Sequence, residues 1–172
     1  LVSFSGGKTS AFMAHLLKKQ LEDTCNLLFV FANTGKEKEQ TLNFCRKCDE
    51  YFGLNLVWVE ADILEKGKGT GHKIVDFETA SRNGEPFRAM IGKFGLPNQS
   101  YSHCTRELKI APIHSFAKEY FDGEYKTAIG IRVPIIRAFL KLFWSWGSNA
   151  CASIIPPMPF KANKITPYGK KI

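Results

Sequence analysis

Blocks of apolar residues with two different periods alternate along the first three quarters of the chain. Leu1-Val2-Ser3-Phe4 reads as a short strand that stops at Ser5-Gly6-Gly7, and apolar positions then recur at helical spacing (Ala11, Phe12, Met13, Leu16, Leu17), predicting a helix over about 9–21. Residues 26–32 form a continuous apolar run of strand length, the signature of a strand covered on both faces. Helical spacing returns over 36–52, with Leu42, Cys45 and either Tyr51 or Phe52 inward and the charged residues outward. Residues 54–59 read as a third strand. Two β-α-β units in succession predict an α/β fold: a Rossmann-like, doubly wound, mainly parallel sheet with right-handed connections and helices on both faces.

The pattern weakens from Asp62 to Ser102, where glycines and prolines are frequent, and we expect a loop-rich insertion over about 62–102. Gly67-Lys68-Gly69-Thr70-Gly71 reads there as a surface loop, since no clear strand precedes it. A helix over 106–121 (Leu108, Ile110, Ile113, Phe116, Ala117, Tyr120) and a strand over 125–129 follow, with Pro112 expected at the start of that helix or kinking it. The period is lost after residue 132. Residues 133–172 are basic, aromatic and proline-containing, and we assign them no confident structure.

Composition adds little to the fold but constrains the setting. With 172 residues, 44% hydrophobic and 23% charged, the chain is expected to be one globular domain, residues 1–132, followed by the tail. No apolar run reaches the ~18 residues that span a bilayer, and no signal segment is evident at a chain that begins inside a strand. Five cysteines, an odd number, argue against a disulfide framework and for reduced thiols, so a cytoplasmic location without membrane contact is expected. The net charge of +8 is unevenly placed. Glu124 is the last acidic residue, and Lys126, Arg132, Arg137, Lys141, Lys161, Lys164, Lys170 and Lys171 supply the whole excess. Only the end of the chain has the electrostatics of a nucleic-acid contact.

The strand-to-helix junction at Ser5-Gly6-Gly7-Lys8-Thr9-Ser10 carries the most chemistry. Two glycines let backbone N–H groups turn toward an anion, the following helix adds free N–H groups and a positive dipole end, and Lys8, Thr9 and Ser10 add a cation and two hydroxyls. A Walker loop would need a glycine at the position of Val2, so this shorter turn suits a compact, pyrophosphate-sized anion. In an open parallel sheet ligands bind beyond the strand carboxyl ends, where Asn33-Thr34-Gly35 and Gly130-Ile131-Arg132 are also expected. Arg106 and Lys109, near a helix start, suit a further phosphate or sulfate. Cys104 precedes them, where a thiolate would be stabilised. Cys45 and Cys48 share a helix face and read as a half-buried apolar pair; no metal site is assigned. His15 and His114 read as structural, and neither His72 nor His103 has a carboxylate partner evident in sequence.

Four segments in register extend this reading: Ser3 to Ser10; Phe31-Ala32-Asn33-Thr34-Gly35-Lys36-Glu37 with Thr41-Leu42-Asn43-Phe44; Cys104-Thr105-Arg106-Glu107-Leu108-Lys109-Ile110-Ala111-Pro112; and Gly130-Ile131-Arg132. Together they resemble the phosphoadenosine phosphosulfate (PAPS) reductase branch of the PP-loop, or adenine nucleotide α-hydrolase, superfamily. The resemblance implies ATP or PAPS as ligand, with Mg2+ allowed as its companion and no iron–sulfur cluster. It implies binding through Ser5, Gly6, Gly7, Lys8, Thr9, Ser10, Phe31, Asn33, Thr34, Gly35, Arg106, Lys109, Gly130 and Arg132, with Lys8 and Arg132 in the chemistry; Cys104 is added to these from its own place at a helix start beside cations. A thiol donor of the thioredoxin type is the implied partner. Thr9 and Asn33 stand where the family usually has aspartates, and the tail lacks the family's Glu-Cys-Gly-type segment, with Cys151 in a different context. The change of character near residue 132 suggests a replaced tail. Three readings stay open: a PAPS reductase-like enzyme acting at the α-phosphate or attached sulfate, a non-catalytic nucleotide-binding remnant, or a tRNA or DNA sulfur-modification enzyme using the basic tail.

Overall fold

The computed structural model describes residues 1–64, 69–98 and 103–130. The order of elements is β1 (Val2–Phe4), α1 (Lys8–Leu21), β2 (Phe29–Asn33), α2 (Glu39–Phe52), β3 (Val57–Ile63), β4 (Thr70–Val75), α3 (Glu85–Phe94), α4 (His103–Thr105), a wide π turn (Arg106–Ile110), α5 (Ala111–Tyr120) and β5 (Ala128–Ile129). They build a five-stranded sheet in the order β4-β3-β2-β1-β5. β1, β2, β3 and β5 are parallel, and β4 pairs antiparallel to β3 at one edge.

Strict alternation along the buried strands sends side chains to two separate cores. Phe29, Phe31, Val2, Phe4 and Trp58 face α1 and α2, packing on Met13, Ala14, Leu17, Leu42, Cys45 and Cys48. The alternate residues Val30, Ala32 and Val59 face α5 through Ile113, Phe116 and Ala117. Ala61 continues that second face under Met90 of α3 and Leu108. Helices therefore cover both faces, as the continuous apolar runs predict, because a strand buried on both sides needs an apolar partner for each set. Of the two candidate inward residues ending α2, Phe52 is half-buried and Tyr51 is 85% exposed.

Two departures from the sequence reading are instructive. The stretch expected to be loop-rich contains β4 and α3, and Gly69-Thr70-Gly71 leads into a strand. An edge strand that carries exposed Lys73 and Ile74 shows little alternation, so pattern alone passes it over. The helix expected over 106–121 is interrupted: the Ala111 N–H reaches back five residues to the Arg106 carbonyl. Pro112 cannot donate to the Leu108 carbonyl and its ring crowds it, and widening the turn relieves both conflicts. Arg132, Cys151 and the tail 133–172 lie outside the described residues. Among the described residues no helix is long and apolar enough to cross a membrane.

Candidate functional site

Strand order reverses at β1: β2 and β3 lie on one side of it, β5 on the other. The crevice at such a switch point, beyond the strand carboxyl ends, is where open α/β sheets take ligands. The Ser5–Ser10 turn leaves β1 at this point. Gly6 has φ +70°, and a Cβ there would meet Thr41 Cγ2 at 2.6 Å and Cys45 Sγ at 3.0 Å, so the turn lies directly on α2. Phe31 lies beneath, buried in the core and edge-on to Trp58 at 4.8 Å.

Ser10 organises the turn. Its hydroxyl accepts from the Ser5 and Gly7 N–H groups (both 3.2 Å) and from the Ser5 hydroxyl (3.1 Å), and donates to the Gly7 carbonyl (2.8 Å). The first helical bond of α1 runs from the Ala11 N–H to the Gly7 carbonyl, so the N–H groups of Lys8, Thr9 and Ser10 precede it, at the positive end of the helix. Lys8 and Ser5 are exposed, Thr9 is half-buried and Ser10 is buried. A Cβ on Gly130 would meet Ser10 Cα at 3.2 Å, which brings the end of β5 against the same turn.

Asn33-Thr34-Gly35 ends β2 as expected, but Asn33 points inward. It is buried, with its amide donating to Glu60 and to the Ser81 carbonyl and accepting from the Gly35 N–H. Thr34 donates to Glu37, whose carboxylate also lies 3.6 Å from Lys109 Nζ. Arg106 donates to Glu107 at 2.6 Å, and Thr70 of β4 donates to the same carboxylate. Burial pushes the Glu107 carboxyl up, but the hydrogen bonds from Thr70 and Arg106 and the charges of Arg106 and Lys93 outweigh it and hold the group below the usual range. Both predicted cations are thus placed near the strand ends and each already has an acidic partner.

Cys104 is half-buried against the Ala61, Met90 and Leu108 cluster. Cys45 and Cys48 are buried, and desolvation pushes their thiols up to about 12 and about 11, as suits an apolar pair. Among the described residues no three His, Cys, Asp or Glu side chains group as a metal site. His15 packs on Phe52, and His114 bonds the Tyr125 hydroxyl. His72 has the carboxylate partner that sequence did not reveal: Glu119 at 3.5 Å, with Ser115 on its other nitrogen at 2.9 Å. Glu60 and Ser81 were not singled out from sequence. The available signal was a lone carboxylate inside the apolar strand Val57-Trp58-Val59-Glu60-Ala61.

Comparison with known proteins agrees with this architecture. The chain is 33% identical over 137 residues to the uncharacterized nin region protein ORF290 of Escherichia phage lambda, covering 77% of this chain and 47% of that protein. It is 24% identical over 132 residues to the uncharacterized protein MJ0066 of Methanocaldococcus jannaschii, and 30% identical over 118 residues to MJ0973 of the same organism. These matches cover 77% and 69% of this chain and 22% of each relative. The chain thus spans about half the length, or less, of these curated relatives, and no solved structure matches it. The model of the phosphoadenosine phosphosulfate reductase domain matches residues 1–133, the whole parallel sheet and the turn at its switch point. On that match the chain belongs to the phosphoadenosine phosphosulfate reductase domain family.

Proposed function

We propose that the chain binds an adenine nucleotide, ATP or a sulfonucleotide, with its diphosphate-like group on the Ser5–Ser10 turn, and acts at the α-phosphate or the attached sulfate. The observation that carries this reading is the turn itself. Its hydroxyl-organised backbone and the first N–H groups of α1 stand at the switch point of the sheet, with Lys8 exposed beside them. In the ATP form an acceptor nucleophile attacks the α-phosphorus, the bond to the β-phosphate oxygen breaks, and pyrophosphate leaves with the electron pair, its charge met by Lys8 and the turn. In the sulfonucleotide form an external dithiol supplies two electrons. One thiolate takes the sulfo group as the nucleoside phosphate leaves, and the second thiol releases sulfite as the disulfide forms.

Calorimetry with ATP, AMP, PAPS and adenosine phosphosulfate tests the site. Release of AMP and pyrophosphate from ATP, or of sulfite from PAPS with a thioredoxin-type donor, then identifies the chemistry. Binding without either product favours the non-catalytic remnant, and no binding at all overturns the reading. The concentration of net positive charge after Glu124 favours a second reading, in which the acceptor is a nucleic acid. That reading requires binding to tRNA or DNA that weakens steeply with salt; a salt-insensitive interaction excludes it.

A further inference from the structure

Asn33, the last residue of β2, is paired in register with Glu60 of β3, and their side chains are 0% and 1% exposed. The Glu60 carboxylate accepts three hydrogen bonds: from Asn33 Nδ2 at 2.7 Å, from the Ser81 N–H at 2.6 Å and from the Ser81 hydroxyl at 2.9 Å. No cation among the described residues pairs with it. A buried carboxylate without a cation is retained only when its oxygens are supplied with donors. Here the donors are the two segments that shape the end of β2. Because a carboxylate only accepts, the Asn33 amide nitrogen has to face Glu60, and its oxygen is thereby turned to the Gly35 N–H at 3.2 Å. That bond closes a turn in which Gly35 has φ +74° and sits so close to the start of α3 that a Cβ would lie 2.9 Å from Pro86 Cδ. Ser81 meanwhile holds the segment between β4 and α3 behind the turn, bonding both Glu60 and Asn33.

We propose that Glu60 is a positioning residue of the nucleotide site. Through the Asn33 amide it sets the Thr34–Gly35 turn, through Ser81 it docks the adjoining segment, and it requires an amide rather than a carboxylate at position 33. The proposal rests on the reading that this turn touches the nucleotide. A carboxylate at position 33 would set acceptor against acceptor both at Glu60 and at the Ser81 carbonyl, and exchanging the amide and the acid between positions 33 and 60 restores a donor at the first of these only.

The test compares Asn33→Asp, Glu60→Gln and the double variant by ATP calorimetry and by the NMR resonance and hydrogen exchange of the Gly35 amide. Asn33→Asp should weaken ATP binding at least about tenfold and expose the Gly35 amide to exchange. The double variant, in which the amide at position 60 can donate to the carboxylate at position 33 but the Ser81 carbonyl still faces an acceptor, should recover part of both losses. Wild-type behaviour of Asn33→Asp, or a double variant as impaired as the two single losses multiplied, overturns the proposal. Should Asn33→Asp not fold, Ser81→Ala withdraws one donor from Glu60 and leaves Asn33 in place. It should accelerate Gly35 exchange and weaken ATP binding several-fold, and unchanged values count against Glu60. If the wild-type chain binds none of ATP, AMP, PAPS and adenosine phosphosulfate, the functional reading fails, yet the Gly35 amide still decides whether Glu60 sets the turn. If it binds PAPS or adenosine phosphosulfate and not ATP, the same comparison is made with that nucleotide.

Discussion

Two adjacent glycines in the Ser5–Ser10 turn carry unequal constraints. Gly6 has a positive φ and no room for a methyl group, whereas Gly7 is extended and a Cβ there meets only Ser5 Oγ at 3.7 Å. Gly6→Ala should therefore cost about 1–3 kcal/mol and distort the turn, while Gly7→Ala should stay within about 1 kcal/mol of wild type. Denaturant midpoints of the two variants check this contrast. The thiols of Cys45 and Cys48 give a second expectation. Burial raises both, so the folded chain holds these protons more tightly than the unfolded chain, whose thiols ionise near 9. Stability should fall as pH rises from about 9 toward about 12. At pH 8 an alkylating reagent should label exposed Cys25 first and reach Cys45 and Cys48 only on unfolding, as mass spectrometry can follow.

At the scale of elements, the least regular of the described helical pieces lies between the two halves of the candidate site. The π turn between α4 and α5 sets Glu107 inward to meet Thr70 of β4 and Arg106, and Lys109 outward toward Glu37 after β2. Glu107 is 6% exposed, so removing a donor leaves a nearly buried carboxylate under-supplied. Thr70→Ala should cost about 1–3 kcal/mol. The sign of its pH dependence follows from the lowered carboxyl: the contribution is present above the unfolded value and lost as pH falls through the folded one. Without the Thr70 donor the folded value rises, so acid unfolding of Thr70→Ala should begin at higher pH, as a circular dichroism titration would show. β4 and the π turn were the elements least visible in sequence. One is an edge strand with little alternation, and the other arises from a conflict between a proline and a carbonyl four residues away.

Across the whole molecule, ligand binding at the switch point should be felt as stability, because the nucleotide would join β1, β2 and β5 through the turns that follow them. A nucleotide present at about one hundred times its Kd adds about 2.7 kcal/mol to the folded state, a rise in melting temperature of about 5–10 °C for a chain of this size. Scanning fluorimetry with ATP and with PAPS should show the rise for the preferred ligand, and Lys8→Ala should abolish it. Lys8 is exposed, so this variant should melt without ligand much as the wild type does.

The sequence by itself determined the parallel sheet, the two-sided core and the turn after β1. These depend on short-range periodicity and on residues adjacent in the chain, and Phe29 to Asn33 or Ser5 to Ser10 carry them whatever surrounds them. The sequence reading passed over α3, taking its stretch for loop, although Pro86 at its start, Phe87, Met90, Ile91 and Phe94 at helical spacing and Gly95 at its end mark it once the helix is seen. Only the tertiary structure decided what the polar residues do. It turned Asn33 inward onto Glu60, matched Arg106 and Lys109 with carboxylates, and gave His72 its Glu119. The physical reason is that apolar burial follows a local period, whereas a hydrogen-bond or ionic partner is chosen by which strands and helices become neighbours, and the partners Asn33 and Ser81 stand 48 residues apart.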